Sequence, residues 1–175
     1  MGNLRRKCSL VIELTTYLVR VFYLGHRYYG SQWQPRLPTV QGELIRAITN
    51  HTGEPHSPLT VQLSGRTDRG VHSLGQVATI RTDQFLNIDR VNRYLPHDIT
   101  LWAYTRLPSE FNVRQDVLMR HYRYYMISPL NLQLDKMRFV ATLLTGTRNY
   151  TPLAKRDGNR PRVATILNIA IVRPD

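Results

Sequence analysis

The sequence is poor in cysteine, in lysine and in long apolar runs, and each shortage excludes something. A single cysteine, Cys8, leaves no intramolecular disulfide and no cysteine-rich zinc site, a usage that suits a reducing cytoplasm. No apolar run approaches the length of a membrane-spanning helix. Arg5, Arg6 and Lys7 ahead of an apolar stretch superficially resemble a signal peptide, but Glu13 interrupts that stretch and no small-residue cleavage site follows. Arg6 likewise does not suit the Ser/Thr position of a myristoylation signal. His26, His56, His72 and His121 lack metal-ligand spacing with acidic or cysteine partners. With no Rossmann, phosphate-loop or zinc signature either, no metal or cofactor is expected. The expectation is a soluble protein with an N-terminal extension over residues 1–16.

What is abundant is arginine. The chain carries 24 basic residues against 12 acidic ones, a formal net charge of +12 and a pI near 10.4. Only Lys7, Lys136 and Lys155 are lysines, so the other 21 basic residues are arginines. That excess favours a polyanionic partner, since each neutralised phosphate releases condensed counterions. A guanidinium also forks onto phosphate oxygens and stacks flat on a base, which an ammonium cannot do. A solvated basic surface is the competing reading, and charge alone does not choose. At 175 residues with 42% apolar content, the chain is long and apolar enough to bury a globular core in one or two domains.

Residues 17–24 are rich in β-formers and read as a strand, followed by a Gly-, Tyr- and Gln-rich loop over residues 25–38. Thr39 can cap a helix running to about residue 51, with Val40, Leu44, Ile45 and Ile48 on one face, and Gly53, Pro55 and Pro58 end it. Strands are expected at residues 59–64, 76–81 and 99–106, with a short helix at 89–94. This β-α-β-β-α-β order resembles a ferredoxin-like or RRM-like half. A second unit is expected to open with a strand at residues 119–128. A helix at 134–144 follows, placing Leu134, Met137, Val140, Ala141 and Leu144 on one face and stopping at Gly146. A basic loop over 148–162 and a last strand at 163–172 complete it. The class is α+β: a ferredoxin/RRM-like N-terminal half over residues 17–110, and an incomplete second α/β half over 111–175. The two are expected around a mixed, mainly antiparallel sheet.

The densest motif is Gly65-Arg66-Thr67-Asp68-Arg69-Gly70-Val71-His72, immediately after an expected strand. Its two bracketing glycines permit positive φ or close approach of another backbone, and a turn at a strand end projects its side chains into a cleft. Flanking Arg66 and Arg69 favour the charged form of Asp68, and an ionised aspartate can be a nucleophile or a base. Thr-Asp-Arg-Gly is equally an ordinary turn sequence, in which Asp accepts backbone hydrogen bonds. Downstream, strand alternation in Arg120-His121-Tyr122-Arg123-Tyr124 would put Tyr122 and Tyr124 on one face. That face carries either a base-stacking platform or a cross-strand aromatic pair in the core, and Tyr124 is expected in the core. Tyr28, Tyr29 and Trp33 either line an RNA-facing loop or pack on the domain beneath. Arg148, Lys155, Arg156, Arg160 and Arg162 form either a phosphate-binding loop or a solvated basic face.

The 65–72 segment resembles, residue for residue, the Gly-Arg-Thr-Asp-x-Gly-Val-His signature of TruA-type tRNA pseudouridine synthases, and Gly75-Gln76-Val77 continues the match. Further blocks agree in order. Residues 23–34 resemble the family's Tyr-x-Gly-x-x-Tyr-x-Gly-x-Gln-x-Gln element, and Thr39-Val40-Gln41-Gly42-Glu43-Leu44 its first helix. Asn92, Leu95-Pro96 and Asp98-Ile99 fit an Asn-x-x-Leu-Pro-x-Asp-Ile stretch, and Phe111-Asn112-Val113-Arg114 a Phe-x-x-Arg. Residues 120–124 look like its basic-x-Tyr-x-Tyr motif. The agreement runs from about Tyr17 to Val172.

The resemblance implies the pseudouridine synthase fold and, for Asp68, the role of nucleophile in uridine isomerisation. It implies that Arg66 enters the RNA stack as the target nucleotide is flipped and that Tyr122 stacks on the target base. Arg69, at the variable position of the signature, is a candidate RNA-binding residue beside it. It further implies uridines at positions 38, 39 and 40 of the tRNA anticodon arm as substrates, action as a homodimer, and no cofactor, metal or membrane. His72 is expected to be a hydrogen-bonding member of the motif. Family members continue beyond the point matching Asp175 with a strand and a helix whose basic residue pairs with the aspartate. The chain is therefore expected to lack one wall of the site. The alternative is a truncated or split, non-catalytic RNA-binding fragment of such an enzyme.

Overall fold

A computed structural model describes residues 14–108, 111–127, 131–154 and 162–173. Cys8 and most of the expected N-terminal extension lie outside the described residues, as do Lys155, Arg156 and Arg160 of the basic loop. The chain forms two compact units divided between His121 and Tyr122.

The first unit follows the alternation of its strands and the caps of its helices. β1 (Thr15–Tyr23) buries Tyr17, Val19, Val21 and Tyr23 on one face, as the period of two requires. α1 (Val40–Thr52) starts where the Thr39 hydroxyl accepts the Gly42 N–H at 3.2 Å, and ends at Gly53 in the left-handed region (φ 76°). β2 (Val61–Leu63), β3 (Ser73–Thr82), α2 (Ile88–Asn92) and β4 (Ile99–Leu107) follow. The sheet order is β2-β3-β1-β4 and every pairing in it is antiparallel. Leu44, Ala47 and Ile48 from α1 and Val91 from α2 join the β1 face, together with Ala78, Ile80, Val61 and Leu101, in one apolar core. Truncating one of these fully buried side chains to alanine costs roughly 2–5 kcal/mol for a Leu or Ile.

β3 begins at Ser73, three residues before the expected start. Gly75 leaves room there for the Trp102 ring, which would lie 3.4 Å from a Cβ at that position. Trp102 sits at a register irregularity between β1 and β4. On the outer edge of β4, the Asn92 side chain takes both backbone groups of Leu101, accepting its N–H and donating to its carbonyl at 2.8 Å each. An edge strand is thereby tied to α2 through groups that would otherwise be open.

In the second unit, α3 spans Leu134–Leu144 and is followed by β5 (Gly146–Asn149) and β6 (Val163–Ile166), paired antiparallel. Gly146 does more than stop the helix, since at φ 102° it opens β5 directly. The part of the expected loop over residues 148–149 is thus strand, and the last strand ends at Ile166 rather than at residue 172. The expected strand at 119–128 is not formed: residues 119–127 carry no strand, and residue 128 lies outside those described. Alternating β-formers supply a strand's faces but not the neighbour whose backbone must complete its ladder. Tyr124, expected in a core, is consequently 88% exposed. Of the described residues of this unit only Ala141 is buried. No helix among the described residues is long and apolar enough to cross a membrane.

His56 ties the end of α1 to the approach to β2, its ring nitrogens meeting the Thr52 hydroxyl at 3.2 Å and the Thr60 hydroxyl at 3.3 Å. Burial pushes its pKa below the ordinary 6.5, partly opposed by Glu54 and Asp83. The unfolded chain therefore binds the proton first as pH falls, and stability declines below about pH 6.5. Urea denaturation across pH 5–7.5 is expected to show this decline, with a slope under the single-proton ceiling of about 1.4 kcal/mol per pH unit. His56→Gln should flatten it.

Candidate active site

The turn between β2 and β3 is held by its neighbours at the backbone, and its polar side chains are left outside. Leaving β2, the Ser64 N–H donates to the Val77 carbonyl at 2.8 Å, and the Ser64 hydroxyl donates to Gln76 Oε1 at 2.7 Å. Gln76 Nε2 then donates to the Gly65 carbonyl at 2.7 Å, so one amide side chain clamps the strand exit. At the apex, Ser31 and Thr67 bind each other reciprocally. The Ser31 N–H donates to the Thr67 carbonyl at 3.0 Å, and the Thr67 N–H donates to the Ser31 hydroxyl at 2.8 Å. The Thr67 hydroxyl in turn meets the Tyr23 hydroxyl at 2.8 Å, linking the turn to the core end of β1.

The loop after β1 reaches the turn because two of its residues have no side chain. A Cβ on Gly25 would collide with the Val71 backbone, and one on Gly30 (φ 94°) would stand 2.9 Å from the Thr67 carbonyl. The Gly25 N–H donates to His72 Nδ1 at 3.1 Å, which supplies the hydrogen bond expected of His72 and places any proton of the neutral ring on Nε2. The loop is anchored from behind by Asp98, a buried carboxyl that accepts the Tyr28 hydroxyl at 2.6 Å through Oδ1. Burial and then this bond raise the Tyr28 pKa far above its ordinary value, so it stays a donor. Asp98 Oδ2 has no hydrogen-bond partner among the described residues, and Arg27 stands 3.6 Å from it as counter-charge.

The side chain of Asp68 is 87% exposed, with Oδ1 3.8 Å from Arg66 Nε. At that distance and exposure the pair contributes little stability, so the frame does not depend on it. Arg69 points elsewhere: its guanidinium lies 4.4 Å from the centre of the Tyr29 ring. Tyr28 is buried, whereas Tyr29 and Trp33 remain partly exposed. Tyr122 opens the second unit, where it is 73% exposed. Asp68, Arg66 and Arg69 thus share one turn, with only Arg66 near the carboxylate.

Three residues that hold the turn or the loop against it, Ser31, Gln76 and Asp98, carry no local signal as site residues. Their partners lie 36, 11 and 70 positions away. The only hint was that they fall inside the blocks of ordered resemblance. The same holds for a cavity of about 280 Å³ beside the turn, lined in part by Ser64, Gly65, Arg66, Arg114 and Arg120. Among the described residues no group of three or more His, Cys, Asp or Glu side chains could hold a metal ion.

The first unit is therefore an α+β domain with an antiparallel sheet that presents a carboxylate on an arginine-flanked turn. No family profile matches the chain. Curated relatives do. The tRNA pseudouridine synthase A of Methanosarcina barkeri is 38% identical over 155 residues, covering 86% of this chain and 57% of the relative. That of Methanosarcina mazei is 36% identical over 156 residues, covering 87% and 58%. That of Methanothermobacter thermautotrophicus is 34% identical over 145 residues, covering 82% and 52%. The chain spans somewhat over half the length of the curated relatives it matches, and over that shared stretch its sequence is similar to that of tRNA pseudouridine synthases A.

The reciprocal Ser31–Thr67 pair makes a specific demand. Ser31→Ala leaves the Thr67 N–H without its acceptor in a half-buried position, at a cost of roughly 1–3 kcal/mol. Hydrogen exchange at the Thr67 amide should accelerate, and urea denaturation should record the loss of stability. Unchanged exchange would show that the turn is held by something else.

Proposed function

We propose that this chain carries the chemistry of a tRNA pseudouridine synthase, isomerising uridine to pseudouridine at positions 38–40 of the anticodon stem-loop. The working form in this reading is a cytoplasmic homodimer that needs no cofactor. The observation that carries it is the pinned turn: Thr67 is fixed by Ser31 and Tyr23, while the neighbouring Asp68 carboxylate is left open to a ligand. The names of the relatives support the reaction and the tRNA substrate. For residues 17–110 we propose a ferredoxin-like catalytic domain, supported by the antiparallel order β2-β3-β1-β4.

In this reaction the N1–C1′ bond breaks, the uracil turns, and a C5–C1′ bond forms. C5 loses its proton and N1 gains one, so no redox partner enters. Asp68 is the group that acts on the substrate, as nucleophile or as base. A paired base must leave its stack before a carboxylate can reach it. Arg66, long, planar and adjacent to Asp68, is suited to fill the space that the flipped nucleotide vacates. Tyr122 offers an exposed ring to the target base. Arg69, resting on Tyr29, presents cation and ring together to the RNA.

The non-catalytic alternative draws on one observation, the exposure of Asp68 and its long contact with Arg66. Carbodiimide labelling with primer extension on tRNA separates the two. If the chain is the complete enzyme it should convert uridines, and Asp68→Asn should lose at least about a thousandfold of that rate, as for removal of an essential nucleophile. Asp68→Asn should still bind tRNA. Conversion by that variant at the wild-type rate would sink the assignment of Asp68, and binding without conversion by the wild type would favour the RNA-binding fragment.

A further inference from the structure

The cavity beside the turn is lined by Arg66, Arg114 and Arg120, with the Gln32 amide and the Ser64 hydroxyl nearby and, among the described residues, no acidic side chain in its wall. Arg120 is seated rather than loose. Its guanidinium donates to the Ser64 carbonyl at 2.9 Å and reaches the Arg114 carbonyl at 3.5 Å. It also lies over Gly65, where a Cβ would stand 3.4 Å from Nε. Arg114 stands six residues earlier in the same segment, whose Asn112 side chain accepts the Arg114 N–H at 3.0 Å. Neither Arg114 nor Arg120 forms an ion pair among the described residues. Bringing three cations to one small cavity, with only the long Asp68 contact of Arg66 as counter-charge among the described residues, costs electrostatic energy that an anionic occupant would offset.

The wall chemistry identifies the anion. Among the described residues no aromatic ring lines the cavity, and Leu63 is the only apolar side chain that does, at 5% exposure, so a base would find no aromatic stacking plane there. Gln41 cannot contribute, because its amide is already used by the Trp33 N–H at 2.8 Å and the Val61 carbonyl at 2.6 Å. What remains is a set of forked donors suited to phosphate oxygens. Arg66 belongs to both places, lining the cavity and standing 3.8 Å from Asp68.

We propose that this cavity is a backbone phosphodiester subsite, in which Arg114 and Arg120 hold a phosphate of the RNA strand whose nucleotide is presented to Asp68. The assignment rests on the RNA-directed reading of the turn, and assigns a phosphate-holding role to two arginines. It fixes the strand's register independently of the base, as phosphate contacts do elsewhere.

The test is the salt dependence of binding, measured by fluorescence anisotropy with a labelled RNA stem-loop carrying uridines in its 3′ strand. Arg114→Gln should weaken binding and lower the slope of log K against log salt by about 0.7–0.9, the loss of one phosphate contact. Arg46→Gln, a control on α1 whose side chain pairs with Glu43, should leave the slope unchanged. Arg114→Lys, which keeps the charge, should retain most of the slope. As a readout independent of any variant, inorganic phosphate titrated into the wild-type chain should shift the Arg114 and Arg120 Nε–Hε resonances before that of Arg46. A wild-type slope in Arg114→Gln, or an equal drop in Arg46→Gln, would overturn the subsite. If Asp68→Asn abolishes conversion while Arg114→Gln binds with the wild-type slope, the subsite fails alone. If the slope falls as stated but the wild type converts no uridine, the catalytic reading fails alone.

Discussion

Two backbones meeting at van der Waals distance set everything else in the first unit. The loop after β1 and the turn after β2 touch through Gly25 against Val71 and Gly30 against Thr67, positions where any Cβ would force them apart. That approach brings Ser31 within reach of both backbone groups of Thr67, and the Gly25 N–H within reach of His72. The contact in turn depends on the core. Tyr23 is fully buried at the end of β1 yet sends its hydroxyl to Thr67, and Asp98 at the start of β4 holds Tyr28 and the Leu24 N–H. Rigidity where Thr67 stands and exposure where Asp68 stands are adjacent properties of one turn. This is the arrangement expected when a reactive side chain must be aimed without being covered.

The arginines divide by what they touch. Arg27 answers the buried carboxyl of Asp98, while Arg46 and Arg138 make i,i+3 pairs on helix surfaces that add little stability. Others lie against rings: Arg20 on Trp102, Arg69 on Tyr29, Arg106 on Tyr17 and Phe85. Arg66, Arg114 and Arg120 gather at one cavity with no acidic side chain in its wall among the described residues. The excess of arginine over lysine therefore has a structural correlate in guanidinium–ring contacts and in the forked donors that gather at that cavity. A charge of +12 spread over solvated lysines would not have produced it.

Much of the first unit was legible because its signals are local. Strand alternation located β1 and β4, and Thr39 and Gly53 bracket α1 as cap and stop. α3 was bounded correctly at Leu134 and Leu144 by its apolar spacing. The segment 119–127 was misread for the complementary reason: its β-formers state a preference, but a strand exists only where a partner backbone lies alongside. With no strand formed there, Tyr124 is exposed rather than in a core. Within the site, the motif was visible as a string of residues, whereas its fastening was not. Ser31, Gln76 and Asp98 act across long stretches of chain, and hydrogen bonds of that reach leave no periodicity to read. The stacking of Arg69 on Tyr29, rather than beside Asp68, was likewise invisible to adjacency in sequence.

If the fixed turn aims Asp68, then the position of its carboxylate matters and not only its charge. Asp68→Glu separates the two, since it keeps the charge and displaces the group by one methylene. Tritium release from tRNA labelled at uridine C5 reads the reaction at the atom that loses its hydrogen. The account predicts steady release by the wild-type chain and almost none by Asp68→Glu. Release by that variant at the wild-type rate would contradict it.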